Sequence, residues 1–180
     1  IIRLPAFFAG VAIVPLTYVT AGRFYNRKVG LLSAGLVAAA PLLIDYSANA
    51  RGYTLVCALT LCAAALAAYV KDHRNGIAWA LLALTCALGF YTIPIMLYPA
   101  GLLVVWLALS GLFSDTSRDY QRAFWAYLLG ACLLLVGLTA LLYMPVFIKS
   151  GIGAVVNNSY VRPDDPASLA QQVESRVAST

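Results

Sequence analysis

An acid, an arginine, a serine and two tyrosines crowd into nine residues, Asp45-Tyr46-Ser47-Ala48-Asn49-Ala50-Arg51-Gly52-Tyr53, between two long apolar runs. A guanidinium carries a planar fork of donors that matches a phosphate or a carboxylate with two parallel hydrogen bonds. A tyrosine two residues on adds a hydroxyl and a ring face suited to a sugar. The same residues also have a plainer use, with Asp45 and Arg51 as a local ion pair and Tyr46 and Tyr53 as interfacial anchors. A second polar spot, Gly89-Phe90-Tyr91-Thr92-Ile93-Pro94, interrupts the apolar pattern further along. Arg51, Tyr53, Tyr46, Ser47, Asp45, Tyr91 and Thr92 are therefore the candidates for holding a sugar or its phosphate.

The elements that position them follow from composition. With 62% hydrophobic residues, 11% charged residues and a mean hydropathy of +0.84, the chain cannot cover itself with a water-soluble surface. It reads as an integral membrane protein. A spanning helix needs about 20 apolar residues, and cutting the sequence at its charged clusters predicts about six: A over 4–22, B over 29–46, C over 52–70, D over 76–92, E over 95–113 and F over 123–148. Each run is continuously apolar, without the alternation of a barrel strand, and a helix satisfies its own backbone in lipid. The fold class is thus all-α, a polytopic transmembrane helical bundle over 1–148, followed by an extracytoplasmic loop or interfacial segment over 149–180. Between D and E no charge intervenes, and Thr92 with Pro94 argues for a turn there.

Lysine and arginine in short loops set orientation. Loop A/B carries Arg23, Arg27 and Lys28, loop C/D carries Lys71 and Arg74, and loop E/F carries Arg118 and Arg122, whereas the opposite short loops carry Arg51 alone. The first set is expected on the cytoplasmic side of a cell membrane, the Arg51 break outside. Trp79, Trp106 and Trp125 fall toward the basic ends and Tyr46, Tyr53, Tyr91, Tyr98 and Tyr143 toward the other, as interfacial rings would. The net charge of +5 is spent on this topology, so nucleic acid is not an expected partner.

Other chemistry finds little support. Cys57, Cys62, Cys86 and Cys132 all fall inside spans without a Cys-x-x-Cys pair, and the single histidine, His73, sits in a basic loop without partners. They read as packing and loop residues. No phosphate-binding glycine loop, serine elbow or zinc spacing occurs. The sequence supports no certain cofactor; a divalent metal stays open but without support, since Asp164 and Asp165 are adjacent, splay apart and have no other acid close in sequence. Small-residue pairs, Gly35 with Ala39, Ala64 with Ala68 and Gly130 with Gly137, are expected to bring helices together. Prolines 41, 94, 99 and 145 gather toward the outer half, where interrupted helices line protein or water rather than lipid.

In order along the chain, Arg3-Leu4-Pro5, Gly10, the basic turn Arg23 to Lys28, Gly30-Leu31-Leu32-Ser33-Ala34, Ala40-Pro41-Leu42, Tyr46-Ser47, Ala50-Arg51-x-Tyr53, Gly89-Phe90-Tyr91-Thr92 and Tyr143-Met144-Pro145-Val146 form a pattern. It resembles the bacterial branch of the protein mannosyltransferase-like glycosyltransferases of the GT-C superfamily. The resemblance implies an enzyme that moves a sugar from a polyprenyl-phosphate carrier to an extracytoplasmic acceptor, whether protein, lipid or glycan. It also implies a general base in an outer loop upstream of Ile1, so that no catalytic residue is expected in this chain, which reads as a fragment. Arg51 and Tyr53 would border the donor cavity, with Arg51 steadying the departing phosphate. Members often carry an acid before the Ala-Arg pair and a histidine after the Tyr-Thr pair; here those positions are Asn49 and Ile93.

Two readings from other classes stay open on the sequence. A transporter or flippase-like subunit would place charges at mid-membrane in related halves, and an assembly subunit without chemistry would have no cavity beside Arg51.

Overall fold

The computed structural model describes the backbone of residues 4–41, 52–113 and 118–156. Six α-helices and one 3-10 turn make up these residues, and no strand occurs among them. We label them α1 (Leu4–Phe24), α2 (Arg27–Ala38), α3 (Tyr53–Asp72), α4 (Gly76–Thr92), α5 (Leu97–Leu112) and α6 (Arg118–Val156), with the turn Pro94–Met96 before α5. The all-helical membrane class is therefore what the chain adopts. Four segments, Leu4–Phe24, Tyr53–Asp72, Pro94–Leu112 and Arg118–Pro145, are long and apolar enough to cross a bilayer. At 17 residues, α4 sits at the lower bound for spanning.

Local chemistry explains where the helices start and stop. Asn26, in extended backbone, accepts a hydrogen bond from the Val29 amide at 3.0 Å and so starts α2 two residues before the predicted start of B. Asn75 does the same for α4, accepting from the amides of Ile77 and Ala78. Ile93 is extended at φ −150° and ψ 133°, as a residue before proline prefers, and this separates α4 from α5. Helix F differs from expectation at both ends: α6 begins at Arg118 and runs through Pro145 to Val156, because Lys149-Ser150-Gly151 is too short a polar interruption to break a helix flanked by apolar residues. The chain divides into two compact units, 1–142 and 143–180; in the second, the described residues are helical turns ending at Val156. The expected end of span B, over 42–46, and the expected interfacial segment over 157–180 lie outside the described residues.

α3 is the central helix, packed against α1, α4 and α5. Its contact faces are made of alanine: Ala63 and Ala67 are wholly buried, and Ala58 and Ala65 nearly so. Without a hydrophobic drive between helices in lipid, such small residues allow backbones to approach and dispersion to accumulate. Side chains of α1 then reach the α3 backbone, where Thr20 Oγ1 donates to the Leu61 carbonyl at 3.0 Å and Arg23 Nη1 to the Ala65 carbonyl at 3.0 Å. Outward faces carry Leu31, Leu32, Leu36, Leu102, Leu129 and Leu133, all at least two-thirds exposed or nearly so, as a surface that meets lipid requires.

Two expectations are corrected here. Gly35, Gly130 and Gly137 have open space where a side chain would go, so those pairs do not mediate close approach. Tight positions include Gly30, where a Cβ would lie 2.8 Å from the Tyr18 carbonyl oxygen, and Gly89, where it would lie 2.6 Å from Met96 Cγ. Spacing finds a stripe but not the face it occupies. Trp79 is only 3% exposed and packs edge-on to Phe124 with centroids 5.5 Å apart, so it is a core residue rather than an interfacial ring. The four cysteines are free, and Cys86 and Cys132 line an apolar cleft of about 20 Å³ between α4, α5 and α6.

The three basic junctions gather at one end. Phe24 meets Trp106 at 5.3 Å between centroids, Arg23 lies 5.1 Å from the Tyr69 ring, Lys71 lies 5.7 Å from the Trp106 ring, and Arg74 lies 4.3 Å from the Tyr120 ring. These contacts join the ends of α1, α3 and α5 to the start of α6.

Gly30→Ala is expected to destabilise the protein by about 1–3 kcal/mol, because the new methyl meets backbone rather than a movable side chain. Gly35→Ala on the same helix is expected to be neutral or to stabilise by up to about 1 kcal/mol through helix propensity. Thermal unfolding of the two variants in detergent checks the contrast.

Candidate functional site

At the end of the molecule away from the basic junctions, the start of α3 meets the turn between α4 and α5. Gly52 precedes α3 and packs so closely that a Cβ there would lie 2.9 Å from Thr92 Cγ2 and 3.2 Å from Ile93 Cδ1. Gly52, near the end of the first polar spot, and Thr92 and Ile93 of the second are thus neighbours in space. The meeting is set by Met96: fully buried, it fills the space left by Gly89, and its sulfur accepts a hydrogen bond from Thr60 of α3 at 3.4 Å. The short turn that follows Ile93 therefore drives Met96 between α3 and α4 and brings Thr92 and Ile93 onto Gly52.

The first turn of α3 has no side-chain cap, and the Val56 amide is the one that closes back on the Gly52 carbonyl, at 3.0 Å. Amides ahead of it point out of the helix end and contribute the positive pole of its dipole. Thr54 lies in this turn at 1% exposure, and its hydroxyl has no hydrogen-bond partner. Leaving a buried hydroxyl unmatched costs on the order of 1–3 kcal/mol, so its place at this end is a demand for a polar partner. Sequence reasoning missed Thr54 because a threonine inside an apolar run looks like ordinary helix content; only burial distinguishes it.

Among the sequence candidates, Tyr53 is 47% exposed at the start of α3 and Tyr91 is 55% exposed at the end of α4. Thr92 Oγ1 donates to the Leu88 carbonyl at 2.8 Å, so its proton serves its own helix and its lone pairs remain as acceptors. Asp45, Tyr46, Ser47 and Arg51 lie outside the described residues; Arg51 is bonded to Gly52, the residue at the centre of the junction. Both described acids, Asp72 and Asp119, belong to the basic end, on the C-terminus of α3 and the first turn of α6. No group of three or more metal-ligating side chains occurs among the described residues. What the junction offers is an uncapped helix start, a buried hydroxyl and two aromatic hydroxyls, a set suited to an oxygen-rich anion and a sugar rather than to a cation.

The comparisons with known proteins bear on this geometry. The family model described as dolichyl-phosphate-mannose-protein mannosyltransferase matches residues 1–143. The chain belongs to this family. No curated protein and no solved structure matches the chain. Membership in the mannosyltransferase family makes the chain a membrane glycosyltransferase in the broad sense, and the match ends at the last residues before Pro145, so that it takes in all of α1 to α5 and both halves of the Gly52 to Ile93 junction.

Thr54→Val keeps the shape and removes the orphaned hydroxyl. If Thr54 serves only packing, the variant is expected to be as stable as wild type or more so and equally active. As a ligand-facing group, it is expected to lower sugar transfer about tenfold while thermal stability holds or rises, one hydrogen bond's worth of binding. Paired assays of activity and melting temperature separate the two.

Proposed function

We propose that this chain forms the donor side of a site that transfers a sugar from a polyprenyl-phosphate carrier to an acceptor on the extracytoplasmic face. The observation that carries the reading is the junction of the α3 start with the Thr92 and Ile93 turn, next to Arg51 in sequence, with the Thr54 hydroxyl buried and unmatched there. In the reaction the acceptor hydroxyl attacks the anomeric carbon, the bond from that carbon to the phosphate oxygen breaks, and the carrier phosphate leaves with the electron pair. Arg51 supplies charge where charge develops, and the positive pole at the start of α3 adds to it. Tyr53 and Tyr91 offer ring faces and hydroxyls to the sugar, with Tyr46, Ser47 and Asp45 as further donor-site residues. The acceptor's proton goes to a base outside the described residues, since the described acids lie at the opposite end.

The basic end is assigned to the cytoplasm by its cations, which places the α3 start outside. Residues 149–180 are assigned to the outer side as well. Family membership favours transfer chemistry over a transporter or an assembly subunit, and the two described acids at one end do not make the mid-membrane charge that transport uses.

Arg51→Ala in the intact protein is expected to reduce sugar transfer by about 10²–10³-fold, the effect of removing one donor from a developing anion, with normal membrane insertion. Full activity in that variant returns Arg51 to a structural role. In a background with the four native cysteines replaced by alanine, Asn49→Cys is expected to react with an impermeant thiol reagent from outside and His73→Cys only after permeabilisation. The reverse labelling pattern overturns the orientation.

A further inference from the structure

A polar cavity lies at the basic end, about 30 Å from the Gly52 junction along the 20 residues of α3. Lys71, Asp72, Ser110, Tyr120 and Gln121 line it, and it encloses about 190 Å³, far above the roughly 10–15 Å³ that one water needs. It opens where α5 and α6 come together over Gly111, at which a Cβ would lie 2.6 Å from the Phe124 ring. Its depth is marked by its surroundings: the rings of Tyr69, Trp106 and Tyr120 under cations are the pattern of a headgroup region.

The charges around it are mixed in a particular way. Arg23, Arg27, Lys28, Lys71, Arg74, Arg118 and Arg122 outnumber the two described acids at this end. Lys71 is held with its ammonium toward the Trp106 face, and Arg74 is engaged over Tyr120. Asp72 is the last residue of α3, where the negative pole of the helix disfavours a carboxylate. No hydrogen bond or ion pair joins it to any described residue, Lys71 included. One cavity thus presents an ammonium, two hydroxyls and, beside them, a carboxylate that no described neighbour matches.

We propose that this cavity binds the headgroup of an aminophospholipid, with the phosphate on Lys71 and the hydroxyls of Ser110 and Tyr120 and the primary ammonium on Asp72. A purely anionic headgroup satisfies Lys71 but meets Asp72 as a like charge. A choline headgroup carries no N–H to donate to a carboxylate. Only a headgroup with both a phosphate and a primary amine matches the two charges side by side. The site is independent of the chemistry assigned to the opposite end.

The test uses the intact protein, purified and equilibrated with equimolar phosphatidylethanolamine, phosphatidylglycerol and phosphatidylcholine, with retained lipid measured by mass spectrometry after washing. Wild type is expected to retain phosphatidylethanolamine about tenfold over the other two, the equivalent of one charge-assisted hydrogen bond. Asp72→Asn is expected to erase the preference over phosphatidylglycerol while total retention persists, and Lys71→Gln to lower retention of both. Free phosphoethanolamine is expected to displace the lipid where inorganic phosphate at the same concentration does not. Equal retention of the three lipids by wild type, a preference for phosphatidylglycerol, unchanged selectivity in Asp72→Asn, or displacement by inorganic phosphate alone overturns the proposal. Wild-type selectivity needs no variant, so a misfolded substitution does not obscure the result.

Discussion

Burying one helix against three others inside a membrane constrains its side chains more than any other demand on this chain. α3 meets the demand with alanines on the faces that touch α1, α4 and α5. Thin contact faces leave its carbonyls within reach, and two of them, at Leu61 and Ala65, accept hydrogen bonds from α1. Those part-buried bonds fix the register of α1 along α3. The same closeness, continued up the helix, puts Thr60 against Met96 and Gly52 against Thr92. Displacing α3 by the width of one methyl would loosen the anchoring at one end and the Gly52 to Ile93 junction at the other together.

What could be read from residue order alone was whatever depends on local chemistry. The turn expected at Thr92 and Pro94 is there, with Ile93 in extended backbone, whereas Asn26 and Asn75 cap α2 and α4 by local chemistry that cutting the sequence at its charges did not use. Burial of Thr54 and Trp79, and the idleness of Gly35 and Gly130, were not legible, because they depend on which face of a helix finds a partner and on how far away that partner stands. The end of α6 escaped for a related reason: Lys149 and Ser150 suggest an exit from the membrane, yet a helix that is already formed needs little to continue. Of the candidate donor residues, Tyr53, Tyr91 and Thr92 come to one end as their shared membrane depth suggested, while Asp45, Tyr46, Ser47 and Arg51 fall outside the described residues.

The two ends of α3 differ in kind. One is a band of cations laid over aromatic rings, with Arg23, Lys71 and Arg74 each assigned a ring. Stacking of His73 on Tyr69 at 4.2 Å continues the band. The other end carries hydroxyls, an uncapped helix start and, by sequence, a single arginine. Holding one end firmly in place relieves the other of the problem of anchorage.

The length of α4 has a consequence for where such a molecule must sit. Seventeen residues at 1.5 Å each span about 25 Å, some 5 Å less than a typical hydrocarbon core. Secured at Asn75 among the cations, α4 reaches its turn before the far headgroups begin, and the bilayer must dip or the protein must admit water there. Hydrophobic mismatch thus turns the Gly52 to Ile93 junction into the floor of a depression, whose polar groups lie below the plane of the surrounding headgroups.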